Sequence, residues 1–265
     1  MIKKLDVSMC VAEYIKPGMP LDKWLKKQKR KPYAVINASL YESNFNAQTG
    51  KSALVPVGTV IESGRLVHDA GTGYGVGIIG GELSFGTPWE MPWREYLTGY
   101  NCPVQNGRYV APTFPDSYVF PNRLNRIGIM EDAQGKIHIF TDDAVTLQQF
   151  AQHAIENGAK TLCNLDGGGS RSLYCNGAQI YSSTRTPYNA IAFWLPEGCE
   201  APQEVCPYSE PTSILGMLSG NGARWLQWHL ARRGCVGKDG KPVSVDGQAG
   251  KNTAFALVEL LKKGD

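Results

Sequence analysis

RIGIMEDAQGKIHIFTDDAVTLQQFAQHAIENGAKTLCNLDGGGS, residues 126–170, carries the fold class. Ile127 and Ile129, then Ile137 and Ile139, alternate on either side of a Gln134-Gly135 turn, the pattern of a strand pair with one buried face. The period then changes. Val145, Phe150, Ala151, Ala154 and Ile155 fall on one helical face, with Thr141 or Asp142 placed as the N-cap and Gly158 just past the end. A short apolar strand follows and runs into an acid and three consecutive glycines. Strand pair, helix and strand in this order predict an α+β domain built on a mixed sheet.

Upstream, Tyr33 to Thr87 reads as short apolar runs broken by glycine, hence strands and hairpins. Within it GVGIIG, Gly75 to Gly80, has dinucleotide-binding spacing, but Gly81 and LSFGTP follow where an amphipathic helix is required. The aromatic residues of the Pro88–Asn122 stretch, Trp89, Trp93, Tyr96, Tyr100, Tyr109 and Phe114, are expected to cover a core edge. Downstream, AQIYSS and NAIAFWL read as a closing strand pair. After Leu195 the segment PEGCEAPQEVCPYSEPTS has four prolines, four glutamates and no lysine or arginine, which marks a linker. Helical periodicity returns in ARWLQWHLARRG and NTAFALVELLKKG. The expected domains are therefore 1–195, a linker over 196–212, and a small helical module over 213–265.

Composition narrows the function. At 42% hydrophobic and 19% charged residues the chain is not globally disordered. A net charge of +3 does not point to nucleic acid, although Lys23, Lys26, Lys27, Lys29, Arg30 and Lys31 form a dense basic run, read as a solvated surface. No apolar stretch is long enough to span a bilayer, and Asp6 and Glu13 interrupt the N-terminal segment, so neither a membrane span nor a signal peptide is expected. Seven cysteines without a CxxC pair argue against a zinc ribbon; Cys199 and Cys206, close together in the linker, are the pair suspected of bridging. No cofactor is demanded, and a divalent metal is left open.

Asn164-Leu165-Asp166-Gly167-Gly168-Gly169-Ser170 is the sharpest local signal. Three glycines after a strand leave backbone N–H groups unshielded, and such nests bind anions, phosphate above all. An isolated Asp-Gly pair is usually only an Asx turn. Arg171 and Arg185 change that reading, because two guanidiniums beside a glycine nest suit a phosphodiester.

This constellation resembles the phosphodiester glycosidase family. NLDGGGS, the preceding NGAKTL, the Arg185 to Ile191 segment, PVGTVIESG and RIGIMEDAQGKIHIFT all match its pattern, over roughly residues 33–195. Asn37 in VINASLY stands in the family's Asn-Gly-Gly-Phe-Phe run, with Ala38 and Ser39 in place of the glycines and Leu40 and Tyr41 in place of the aromatic pair. Either Arg123 or Arg126 matches the family's strand-entry arginine. The C-terminal module resembles a peptidoglycan-binding domain of three short helices, through Leu226, Gln227, Leu230, Asp246, Gly247, Gly250 and Thr253. The resemblances imply a hydrolase that cleaves a sugar-1-phosphodiester in bacterial cell-wall glycan. Asp166, Arg171, Arg185 and Asn37 would be catalytic; Gly167, Gly168, Gly169, Ser170, Asn189, Tyr41 and Arg126 would contact substrate; Trp225 and Trp228 would contact the wall. They further imply a protein of phage or prophage context, cytoplasmic until released. The alternatives at this point are a lysin glycosidase acting on peptidoglycan itself and a wall-glycan binder without turnover.

Overall fold

The computed structural model describes residues 3–46, 51–71, 73–98, 101–111, 121–199 and 218–262. Elements occur in the order β1 (Lys3–Asp6), β2 (Val11–Ile15), α1 (Leu21–Lys27), β3 (Ala34–Asn37), β4 (Tyr41–Asn46), β5 (Lys51–Pro56), β6 (Val60–Glu62) and β7 (Arg65–His68). Next come β8 (Gly75–Ile79), β9 (Glu82–Gly86), β10 (Glu95–Leu97), β11 (Asn101–Gln105), β12 (Arg108–Tyr109), β13 (Leu124–Asp132), β14 (Ile137–Val145), α2 (Leu147–Glu156) and β15 (Ala159–Asn164). The chain then forms β16 (Leu173–Cys175), β17 (Ala178–Tyr181), β18 (Ala190–Trp194), α3 (Gly220–Arg232) and α4 (Lys251–Lys262). Two compact units result. The first holds the residues up to Ser172 together with Ser182–Cys199, and the second gathers Leu173–Tyr181 with the C-terminal residues.

In the first unit a six-stranded sheet runs β1-β14-β13-β15-β11-β12, a second sheet runs β7-β6-β10-β8-β9, and β18 lies between β2 and β3, antiparallel to both. The β13–β14 hairpin forms as the alternation predicts, pairing Ile129 with Ile139. Its turn is closed by Asp132, whose carboxylate accepts from the Gln134 and Lys136 N–H groups, while Gly135 adopts φ +78°. Helix α2 covers one face of this sheet through Leu147, Phe150, Ala151 and Ala154, packed on Val104, Met130, Phe140 and Leu162. The Phe140 and Phe150 rings lie 5.4 Å apart.

Several expectations are corrected. The helix starts later than expected: β14 runs on to Val145, so Thr141 and Asp142 are strand residues, and Thr146 is the N-cap in a capping box with Gln149. Cross-strand pairing with β1 and β13 holds that segment extended against its helical alternative. The strands in AQIYSS and NAIAFWL do not pair with each other. β17 pairs with β16, and β18 pairs with β2 and β3. Of the aromatic stretch, Trp93 and Tyr96 are core, but Trp89 is exposed, and Tyr100 and Phe114 lie outside the described residues.

In the second unit α3 and α4 meet over Leu230, Val243 and Ala256. Gln227, buried between them, donates to the Asp246 carboxylate (2.7 Å), the Gln248 carbonyl (2.9 Å) and the Thr253 hydroxyl (3.2 Å), and accepts from the Gly247 N–H (2.9 Å). The described residues of this unit hold two helices and the β16–β17 hairpin. Most of the linker, including Cys206, lies outside the described residues, and Cys199 is an exposed free thiol.

Removing the packing or the cap of α2 tests this architecture: Phe150→Ala is expected to cost about 3–5 kcal/mol and Thr146→Ala about 1 kcal/mol, read from urea unfolding curves.

Candidate active site

The glycine loop leaves β15 and is held at both ends by one buried side chain. Asn37, at the end of β3, donates through Nδ2 to the Asp166 carbonyl (2.7 Å) and accepts through Oδ1 from the Ser172 N–H (2.8 Å). Asp166 N–H donates to the Ala38 carbonyl (2.9 Å), and Leu165 N–H to that of Ile127 (2.8 Å). Between these anchors residues 168–170 make a single 3₁₀ turn. A Cβ on Gly167 would lie 2.4 Å from the Asn125 carbonyl oxygen, and Gly168 adopts φ +55°, so two of the three glycines are demanded by backbone geometry.

Around the loop four side chains converge. The Asp166 carboxyl, 5% exposed, is pushed up to about 7 by burial, against the opposing pull of hydrogen bonds from Ser170 and the Gly167 N–H and of the Arg185 charge. Arg185 donates to Ser170 Oγ (3.2 Å), and its guanidinium sits 3.3 Å from where a Cβ on Gly169 would be. Ser183 straps this segment to the loop, donating to the Gly169 carbonyl (2.7 Å) and accepting from the Arg185 N–H (3.1 Å). Tyr41, at the start of β4, is hydrogen-bonded to Ser170, and burial followed by the nearby Asp166 charge raises its phenol.

Other expected site residues are used elsewhere. The Arg171 guanidinium pairs with the Asp143 carboxylate (2.7 Å) and donates to the Asp142 carbonyl (3.1 Å), whereas that of Arg185 is hydrogen-bonded to Ser170 of the loop. Burial works against the Asp143 charge, yet Arg171 holds that carboxyl below its usual range. Arg126 is 2% exposed and donates to the Val145 (3.0 Å) and Asn122 (3.2 Å) carbonyls, with burial drawing its guanidinium down to about 10. It braces the β13–β14 end beside the loop, while Arg123 donates to the Ala144 carbonyl (3.2 Å). The Asn37 amide is taken up by backbone. Asn189, fully buried, accepts from the Ser39 N–H (2.7 Å) and donates to Ser39 Oγ (2.9 Å) and Tyr14 Oη (2.8 Å). Sequence reasoning missed what lies beyond it. Tyr14, Lys16 and Tyr188 all donate to Glu62, at 2.6, 2.8 and 3.2 Å. These residues come from separate strands and a loop and share no local motif.

In the second unit Trp228 is 3% exposed, with the Arg232 guanidinium over its ring at 5.0 Å, whereas Trp225 is half-buried and packs edge-on to His229. Among the described residues no group of three or more His, Cys, Asp and Glu side chains is placed to hold a metal ion. A cavity of about 390 Å³, lined by Tyr74, Phe85, Glu131, Lys160 and Thr161 among others, includes none of the loop cluster. Thr161 and Asp166 are five residues apart, roughly 17 Å along an extended chain.

The family profile of phosphodiester glycosidases matches residues 30–194, more than half of the chain. The chain belongs to this family. Like its members this phosphodiester glycosidase is a hydrolase acting on a phosphodiester-linked sugar. Its fold is shared with the zebrafish N-acetylglucosamine-1-phosphodiester alpha-N-acetylglucosaminidase catalytic domain auto-inhibited by its pro-peptide, at TM-score 0.50 and 18% identity, over 73% of this chain and 72% of that one. A hypothetical protein from Synechocystis is similar at TM-score 0.52 and 14% identity, over 74% of this chain and 57% of that one. No functionally curated protein matches the sequence.

Asp166 links this site to stability. With a folded-state value near 7 against about 3.9 for an unfolded aspartate, the folded glycosidase holds the proton more tightly. Its contribution is therefore full below about pH 4, declines as pH rises to 7 and is flat above, a loss of about 4 kcal/mol at most. Asp166→Asn should unfold at higher urea than the wild type at pH 8 and nearly equally at pH 4.

Proposed function

We propose that the phosphodiester glycosidase cleaves the anomeric C–O bond of a sugar-1-phosphodiester, of the N-acetylglucosamine-1-phosphate type, in bacterial cell-wall glycan. The observation that carries this reading is the buried Asp166 carboxyl, poised near neutrality beside the Arg185 guanidinium at a glycine loop. The Gly168 and Gly169 amides and Arg185 receive the phosphate oxygens, where negative charge accumulates as the bond breaks. Such a leaving group departs as a stabilised anion, so the strong general acid of ordinary glycosidases is not needed. Asp166 then acts in its ionised form, positioning and deprotonating water at the anomeric carbon, with Tyr41 and Ser170 orienting the carboxylate. The charged neighbour that acts on the Asp166 carboxyl is the Arg185 guanidinium. That favours phosphodiester chemistry over the two-carboxylate scheme of a lysin acting on a neutral glycan. Asn37 and Asn189 serve as positioning residues behind this cluster.

The cell-wall setting rests on the C-terminal unit. Gln227, Asp246, Gly247 and Thr253, the residues that resemble a peptidoglycan-binding domain, are joined by direct hydrogen bonds, and the half-buried Trp225 offers a ring for sugar stacking.

On a sugar-1-phosphodiester, kcat/KM is expected to fall about tenfold per pH unit below 7, because the ionised carboxylate is the active form. Asp166→Asn should lower it about 100-fold or more and flatten the profile; a profile unchanged by that substitution removes Asp166 from the reaction. Arg185→Ala should cost about 1.5–3 kcal/mol, ten- to more than a hundredfold, with partial recovery in Arg185→Lys and weaker competition by inorganic phosphate. Arg171→Ala should act chiefly on stability, by about 1.5–3 kcal/mol, since it removes the guanidinium that pairs with the half-buried Asp143 carboxylate. Sedimentation with purified walls separates the tryptophans: Trp225→Ala should lose retention while staying folded, and Trp228→Ala should destabilise its unit.

A further inference from the structure

Two thiols that no role above uses meet inside the six-stranded sheet. Cys102 is on β11 and Cys163 on β15, neighbouring antiparallel strands. Asn101 pairs with Asn164 and Val104 with Leu162, so that across the irregularity between those pairs Cys102 and Pro103 together face Cys163. The Cys102 thiol donates to the Cys163 sulfur, which donates in turn to the Thr98 carbonyl at 3.6 Å. Both are free thiols, 5% and 0% exposed. Neighbouring strands lie about 5 Å apart, and thiols close enough to hydrogen-bond across them are within the roughly 4.4–6.8 Å Cα separation that a disulfide bridges.

We propose that Cys102 and Cys163 are an oxidation site, at which a small disulfide oxidant converts the thiol pair into a cross-strand disulfide fastening β11 to the strand that presents the Asp166 loop. One cysteine thiolate attacks a sulfur of the oxidant and expels half of it as a thiol. The second cysteine thiolate then attacks the mixed disulfide at the protein sulfur and expels the other half. Two protons and two electrons leave the cysteine pair, one S–S bond forms, and the oxidant's S–S bond becomes two thiols.

Burial and the adjoining sulfur hold the Cys102 proton firmly, so the slow stage is access and ionisation. Access is through the sheet edge, where among the described residues the two-residue strand β12 is the one strand outside β11 in this sheet. Opening that edge bares both sulfurs together, and a first mixed disulfide finds its partner already in place. Cys163 precedes Asp166 by three residues, and its neighbour Asn164 pairs with both Asn101 and Gly128. A bond at this point therefore restrains the strand from which the loop departs without touching Tyr41, Ser170 or Arg185.

The full-length protein equilibrated with oxidised glutathione at pH 8.5 is digested without reduction and mapped by mass. The expected product is one cross-linked peptide pair containing Cys102 and Cys163, lighter by two hydrogens than the reduced peptides. Its formation should raise the thermal midpoint by about 5 °C. The shift should be reversed by dithiothreitol and absent in Cys102→Ala and Cys163→Ala. Persistent glutathione adducts on either cysteine, two unmodified thiols after equilibration, or a midpoint that does not rise on cross-linking each overturn the proposal. Should either alanine variant fail to fold, the peptide map and the dithiothreitol reversal on the wild type decide it.

Discussion

The Asn37 carboxamide, closed on the carbonyl of Asp166 and the N–H of Ser172, is the constraint on which the site depends. A seven-residue segment containing three glycines has many conformations, and a loop that must present backbone amides and a carboxylate in one geometry needs that freedom removed. One fully buried side chain at the end of a fully buried strand does so, with its donor and its acceptor each given to one end of the loop. Arg171 completes the restraint from the other side by fixing the loop exit to the end of β14. Asn37 and Arg171 thus both limit the loop.

Within that frame the electrostatics are uneven. Asp166 is buried deeply enough that desolvation outweighs two hydrogen bonds and a neighbouring guanidinium, and its proton is held to about pH 7. A carboxyl with that property is costly to the fold at neutral pH and useful to a reaction that must exchange protons there. The contrast with Asp143 is instructive. That carboxyl is half-buried, and it faces Arg171 in a close ion pair and stays in its charged form. Deeper burial and the absence of so close an ion pair together keep the Asp166 proton where Asp143 loses its own.

The second unit is organised by a comparable device. Gln227 commits both ends of its amide to the segment between α3 and α4 and to the first turn of α4, fixing an irregular connection. In both units a buried amide side chain disciplines a glycine-containing loop, because a carboxamide offers donor and acceptor without the cost of burying a charge.

Local order was legible in the chain. Alternating isoleucines and a helical stripe around Phe150 marked β13, β14 and α2, because two-residue and 3.6-residue periods are properties of neighbouring residues. Asp166 and its glycines were legible for a related reason: a loop that needs Gly167 for close approach and Gly168 for a positive φ must write those needs into adjacent positions. The start of α2 was not, since strand pairing with β1 and β13 kept Thr141 to Val145 extended against helical periodicity. The direction taken by each arginine was not legible either. Arg171 and Arg185 look alike beside the glycines, and what parts them is Asp143, brought within 2.7 Å of one by a strand far away in sequence. Tyr14, Lys16, Glu62, Tyr188 and Asn189, and likewise Cys102 and Cys163, meet only once separate strands are laid side by side. The sequence by itself determined the family, the strand–helix–strand order around Phe150 and the glycine loop, which are written in contiguous residues; the tertiary structure decided which strands, charges and thiols are partners, because hydrogen bonding and Coulomb attraction depend on distance in space and not along the chain.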